Sequence, residues 1–180
     1  MISTLYVSFM GQFQYNDRPT GQEMLWRNVH SECCGRTGFH ATWPLPWDYN
    51  VAGLAQRTLR MCETDPPCKI IVSGYSRGGD TAVKFCRALG RRVFGLILCD
   101  AVRHNWFAWM LPKQTIDASG IAQRLVSFRQ KENVPAGNTV LYDPATLATT
   151  TWLTVPHQQM DEAPEYHTAV INMLRRAVNH

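Results

Sequence analysis

The chain carries little charge: 18% of its 180 residues are Asp, Glu, Lys or Arg, against roughly 25% in an ordinary soluble domain. With 45% apolar residues alongside, that shortage excludes intrinsic disorder, because such a chain folds by burying apolar surface. The excess of base over acid is thin as well, 18 Lys and Arg against 14 Asp and Glu, and the basic residues stand singly or in short pairs such as Arg91-Arg92 and Arg175-Arg176. So dilute a positive charge leaves no nucleic-acid footprint. Long hydrophobic runs are missing too. Stretches such as Val93 to Cys99 are only strand-sized, far short of the roughly 20 residues that cross a bilayer, so no stable membrane insertion is expected. Met1 to Met10 lacks both a basic start and a sustained apolar core, and we read no signal peptide there. Without internal repeats or low-complexity tracts, residues 1–180 read as one domain, in keeping with about 150 residues per domain.

Six cysteines are present, but no CxxC pair and no disulfide-scaffold density. Cys62 and Cys68 flank a short Pro-containing turn and would be able to pair in an oxidising compartment. The expectation is a reduced, cytoplasmic protein. Also missing are a GxxxxGK[ST] phosphate loop, an HExxH or paired-cysteine zinc set, and a GxGxxG after a strand. No cofactor and no metal are implied.

What is present is an alternation of strands and helices. Thr4 to Met10 is rich in β-branched and aromatic residues and ends at Gly11, which predicts a strand and a turn. Thr20 to Glu32 has helical spacing, Gly38 to Trp43 reads as a short strand, and Tyr49 to Glu63 as a helix stopped by Pro66-Pro67. Lys69 to Ser73 and Val93 to Cys99 are buried strands on either side of a helix over Arg77 to Leu89. The aromatic stretch from Val102 to Gly120 has no clear period. Ile121 to Arg129 and Thr150 to Val155 read as further strands, and Ala163 to Val178 as a closing helix. The fold class is therefore α/β: a mostly parallel sheet of about six strands flanked by helices in three layers.

The sharpest chemical feature is Gly74-Tyr75-Ser76-Arg77-Gly78, a GxSxG that leaves a buried strand and enters a helix directly. Small residues two before and two after the serine are what a sharp strand-to-helix turn needs to avoid its neighbouring backbone. Such a turn exposes the serine hydroxyl over a helix N-terminus and frees the Arg77 N–H for a developing oxyanion. The bland alternative is a glycine-rich turn with an incidental serine.

On this elbow and this alternation, from Thr4 to the last helix, the chain resembles the α/β-hydrolase family, as a small lipase- or esterase-like member. The resemblance implies a reduced α/β-hydrolase fold and a triad ordered serine, acid, histidine. Ser76 takes the nucleophile position. His157, on a loop after Trp152-Leu-Thr-Val-Pro156, takes that of the base, with His167 as its rival. Asp100, ending the strand after the elbow, takes that of the acid, with Asp143 as rival, while Asp161 reads as a helix-start residue. The loop Phe9-Met10-Gly11-Gln12 is where the family draws its second oxyanion donor, with Met10, Gly11 or Gln12 supplying the N–H beside that of Arg77. Trp106 and Phe107, after the candidate acid, and Tyr75, before the serine, are candidate substrate-lining side chains. The implied function is hydrolysis of a small-molecule ester or acyl substrate through an acyl-enzyme. A peptidase, amidase or thioesterase on the same groups, and a non-catalytic binding protein on the same scaffold, are the alternatives. The acyl chain length and the oligomeric state are left open.

Overall fold

The computed structural model describes residues 2–12, 14, 20–33, 35–63, 68–103, 114–133 and 137–179. Its strands are β1 (Thr4–Phe9), β2 (Phe39–Ala41), β3 (Lys69–Tyr75), β4 (Val93–Cys99), β5 (Thr115–Asp117), β6 (Ala122–Gln130), β7 (Thr139–Leu141) and β8 (Leu147–Leu153). Its helices are α1 (Gly21–Cys33), α2 (Val51–Met61), α3 (Arg77–Ala88) and α4 (Pro164–Val178), with a 3-10 helix at His157–Glu162.

Six strands form one sheet in the order β2-β1-β3-β4-β6-β8, and every neighbouring pair is parallel. The central strands are apolar on both faces because helices cover both. Leu5, Val7 and Phe9 of β1, Ile70 and Val72 of β3, and Leu96 and Leu98 of β4 point into a core shared with Leu54 of α2 and Val83, Phe85 and Cys86 of α3. The alternate residues Tyr6, Ile71, Tyr75, Ile97 and Cys99 pack instead with Leu25 and Val29 of α1 and Tyr166, Val170, Met173 and Leu174 of α4. The period-two alternation of each strand thus feeds two separate cores, which makes three layers.

The six-stranded sheet and all four helices agree with the sequence expectation to within a few residues. Three elements were not expected. Strands β5 and β7 pair with each other as a separate two-stranded sheet, and three residues apiece carry too little period to read. The 3-10 helix lies where a loop was expected, so that Asp161 is a buried member of it rather than the first residue of α4. No helix among the described residues is long and apolar enough to cross a membrane. The described cysteines are free thiols, Cys62 and Cys68 among them.

Candidate active site

In a parallel sheet all the strands deliver their carboxyl ends to one edge, and that edge is where α/β proteins bind ligands. Here β1, β3, β4 and β6 end there in Met10-Gly11, Ser76, Asp100 and Gln130.

Ser76 follows β3 with φ 53° and ψ −126°, a left-handed backbone that an L-residue adopts only under constraint. The constraint is visible. Ser76 N–H donates to the Cys99 carbonyl at 3.0 Å, and the Ser76 carbonyl accepts from Gly79 at 3.0 Å and Val102 at 2.9 Å. The flanking glycines are needed for close approach: a Cβ on Gly74 would run into the Gly78 backbone, and one on Gly78 into the backbone of Phe9 and Met10. Asp100 is the other non-glycine residue with positive φ among those described, at 42°.

The three candidate triad residues come together. Ser76 Oγ lies 2.9 Å from His157 Nε2, and His157 Nδ1 lies 2.7 Å from Asp100 Oδ2. All three are buried, Asp100 completely. Asp100 receives two further hydrogen bonds, from Gln130 Nε2 to Oδ2 at 3.0 Å and from the Gly137 N–H to Oδ1 at 2.8 Å. A carboxylate so surrounded by donors is fixed in direction. Gly137 can come this close because it has no side chain; a Cβ there would overlap the Asp100 carboxyl.

His157 is held from three sides. Its main-chain N–H donates to Asn133 Oδ1 at 2.7 Å, its carbonyl accepts from the Tyr75 hydroxyl at 2.6 Å, and the two rings stack at 5.2 Å. Gln130 in turn accepts the N–H groups of Glu132 and Asn133 through Oε1. The turn after β6 therefore carries the supports of both acid and base. Sequence reasoning passed over Gln130, Asn133 and Gly137; the one available signal was a polar Gln130 closing the strand at the carboxyl edge of the sheet.

Several expectations need correction. Tyr75 is 4% exposed and supports His157 from behind, so it does not line a substrate cleft. Met10 cannot be an oxyanion donor, because its N–H is spent on the Leu45 carbonyl at 2.7 Å. The Gly11 N–H is also occupied, by Gln14 Oε1 at 2.8 Å. Gln12 is then the remaining candidate of that loop. The Arg77 N–H has no acceptor among the described residues, and its guanidinium rests over the Trp47 ring at 5.2 Å. Trp106 and Phe107 lie outside the described residues.

The rivals are engaged elsewhere. His167 lies 2.7 Å through Nε2 from the Asp161 carbonyl and 3.3 Å through Nδ1 from Asn28 Nδ2, and burial lowers its pKa. Asp143 sits in the turn before β8, where it accepts the N–H groups of Gly120 and Ala145 and the Thr146 hydroxyl; these donors, Gly120 first, lower its pKa. Asp161 is the unusual carboxyl. Desolvation raises its pKa from 3.8 to about 6, against the pull of the Gln14 hydrogen bond. Among the described residues no group of three or more His, Cys, Asp or Glu could hold a metal ion.

No protein-family model matches the sequence, and no curated protein matches it significantly. Solved structures do match by shape. A protein of Agrobacterium vitis S4 provisionally named a hydrolase superposes with TM-score 0.54 at 13% identity, covering 98% of this chain and 88% of that one. Est1E from Butyrivibrio proteoclasticus gives TM-score 0.52 at 8% identity, with 99% and 90% covered. Human thioesterase 2 gives TM-score 0.50 at 11% identity, with 98% and 96% covered. The chain has the α/β-hydrolase fold.

Proposed function

We propose that this α/β-hydrolase-fold protein is a serine hydrolase that cleaves carboxylic esters through an acyl-enzyme on Ser76. The observation that carries the reading is the continuous hydrogen-bond chain from Ser76 Oγ through His157 to Asp100, at 2.9 and 2.7 Å. A serine hydroxyl is a weak nucleophile until a base takes its proton as it attacks. His157 Nε2 is within reach to do so, and Asp100 keeps Nδ1 protonated and stabilises the imidazolium. The alkoxide oxygen of the substrate carbonyl would then draw on the N–H groups of Arg77 and Gln12. His157 returns the proton to the departing alcohol, and water repeats the sequence on the acyl-enzyme, releasing the acid.

The fold itself hosts many reactions, so the substrate class rests on the site and not on the scaffold. The test is labelling with a fluorophosphonate probe, on wild type beside Ser76→Ala and His157→Ala, with turnover of p-nitrophenyl esters, thioesters and anilides on the same samples. Labelling that vanishes in Ser76→Ala and falls by about a million-fold in rate with His157→Ala is expected, with esters turned over ahead of anilides. A folded wild type that neither labels nor turns over any of the three would overturn the reading in favour of a binding protein. Thioester or anilide preference would keep the nucleophile and replace the substrate.

A further inference from the structure

Two groups that take no part in the reaction are tied to the loop beside Ser76. Gln14 Oε1 accepts the Gly11 N–H at 2.8 Å, and Gln14 Nε2 donates to Asp161 Oδ2 at 2.5 Å. Asp161 is 1% exposed and lies in the same 3-10 helix that His157 begins. Its carboxyl packs on the first residue of α1, where a Cβ on Gly21 would stand 2.5 Å from Asp161 Cγ, and where the helix dipole favours negative charge. Gly11 in turn presses on the elbow: a Cβ built there would stand 2.7 Å from the Tyr75 ring and 3.2 Å from Ser76 Cβ.

These contacts bracket the loop that has to offer an oxyanion donor. Leu45 holds the Met10 N–H, and Gln14 holds the next one. Because a peptide unit is planar, fixing the Gly11 N–H fixes the whole Met10-Gly11 unit. Glycine imposes no φ or ψ of its own, so the direction of the following N–H, that of Gln12, has to be set from outside. Gln14 is a long flexible side chain that would lose this task to rotamer freedom unless its far end were anchored. A buried carboxylate rooted on a helix N-terminus is such an anchor.

We propose that Gln14 and Asp161 are positioning residues: through the Asp161-Gln14-Gly11 hydrogen-bond chain they hold the loop after β1 in register with Ser76, so that the Gln12 N–H serves as the second oxyanion donor. The proposal rests on Ser76 being the nucleophile. A donor matters only at the place where charge develops in the transition state, so loosening this chain should act on kcat and leave binding alone.

The experiment measures fluorophosphonate labelling rate and p-nitrophenyl butyrate kinetics for wild type, Gln14→Leu, Gln14→Glu, Asp161→Asn and the double variant Gln14→Glu/Asp161→Asn, with folding checked by circular dichroism. Gln14→Leu is expected to lower kcat about 10- to 100-fold, approaching the loss of a whole oxyanion donor, with KM within about two-fold. Gln14→Glu alone should be as poor, since it sets two carboxylates against each other. The double variant re-forms both bonds with charge and amide exchanged: one introduced carboxylate oxygen accepts the Gly11 N–H and the other accepts from the introduced amide. Its kcat should return to within about three-fold of wild type, a coupling that additive structural damage would not give. Wild-type kcat in Gln14→Leu, or a double variant no better than the worse single, would overturn the positioning role. So would a rise in kcat in Gln14→Leu, which would make the Gln14 amide a plug of the oxyanion site. Absence of labelling in wild type would instead fail the nucleophile assignment and take this proposal with it. If both Gln14 variants misfold, Asp161→Asn alone decides. The introduced amide offers one acceptor oxygen where the carboxylate offers two, and no charge, so its hold on the Gln14 amide weakens; its kcat should fall, and an unchanged kcat overturns the proposal.

Discussion

Asp161→Asn should make the protein more stable at neutral pH while making it a poorer catalyst. The carboxyl is buried, and desolvation raises its pKa from 3.8 to about 6. An acid whose pKa is higher in the folded than in the unfolded state holds its proton more tightly when folded. Between the two values the native state therefore binds more protons than the unfolded chain, and stability falls as pH rises. A shift of about two pKa units at about 1.4 kcal/mol each amounts to about 3 kcal/mol of stability, fully present below pH 3.8 and lost once the pH has risen past 6. Asparagine is nearly isosteric and stays neutral, so it removes this penalty at the cost of one of the two acceptor oxygens that face Gln14. For a chain of this size about 3 kcal/mol corresponds to roughly 6–12 °C in Tm. The assay is thermal unfolding of wild type and Asp161→Asn from pH 4 to pH 8, read as the difference between the two at each pH so that the other titrating groups cancel. The variant should gain on wild type through the interval and hold its lead above it. A lead that does not grow with pH, or a variant less stable at pH 8, would refute the reasoning and mean that the Gln14 amide and the N-terminal end of α1 solvate the carboxylate as well as water does.

The remaining predictions concern the acid and the support of the base. Asp100→Asn should cut kcat by about 10,000-fold, by presenting the wrong partner to His157 Nδ1, while circular dichroism stays native because Asn tolerates the left-handed backbone at φ 42°; a loss under 10-fold would move the acid to another carboxylate. Tyr75→Phe removes the 2.6 Å bond to the His157 carbonyl and leaves that carbonyl unpaired, so urea unfolding should show a loss of about 1–3 kcal/mol, with a fall in kcat and little change in KM.

The parts of this molecule that were legible in the sequence are those written in consecutive residues. The elbow Gly74-Tyr75-Ser76-Arg77-Gly78 carries its own steric reason, and β4 ends in Asp100 after seven apolar residues, so its bounds and its candidate acid could be read together. His157 was reachable only through the resemblance, because nothing local marks it. The supports were not legible at all. Gln130, Asn133 and Gly137 meet Asp100 and His157 across 24 to 37 residues of chain, and Gln14 meets Asp161 across 147. Such pairs exist only once the sheet has brought strand ends together, and single polar residues near turns look alike before that. Asp161 was read as a helix-start residue because acids favour the first turn of a helix. It does sit at a helix N-terminus, but that of α1 rather than of the helix that follows it.

The costs gather at one edge of the sheet. Ser76 and Asp100 carry the left-handed backbone angles of the described non-glycine residues, on the ends of adjacent strands, and each such angle costs on the order of 1–3 kcal/mol. Asp161 adds an anion that would be more stable in water. None of these conformations is favoured locally, so each has to be over-determined by its surroundings. The surroundings are rigid: Ser76 is clamped to Cys99 and Val102, Asp100 donates its N–H to the Phe128 carbonyl at 2.8 Å, and Ala101 accepts from Asn138 at 2.7 Å. These bonds knit β3, β4 and β6 beyond the point where the ladder ends, with Leu96, Ile97 and Leu98 fully buried directly beneath. A sheet of parallel strands packed on both faces is one of the few places where two such strained residues, Ser76 and Asp100, can both be held within hydrogen-bond reach of one histidine. The same groups would relax apart on a loop, and the 2.9 and 2.7 Å spacings around His157 would relax with them.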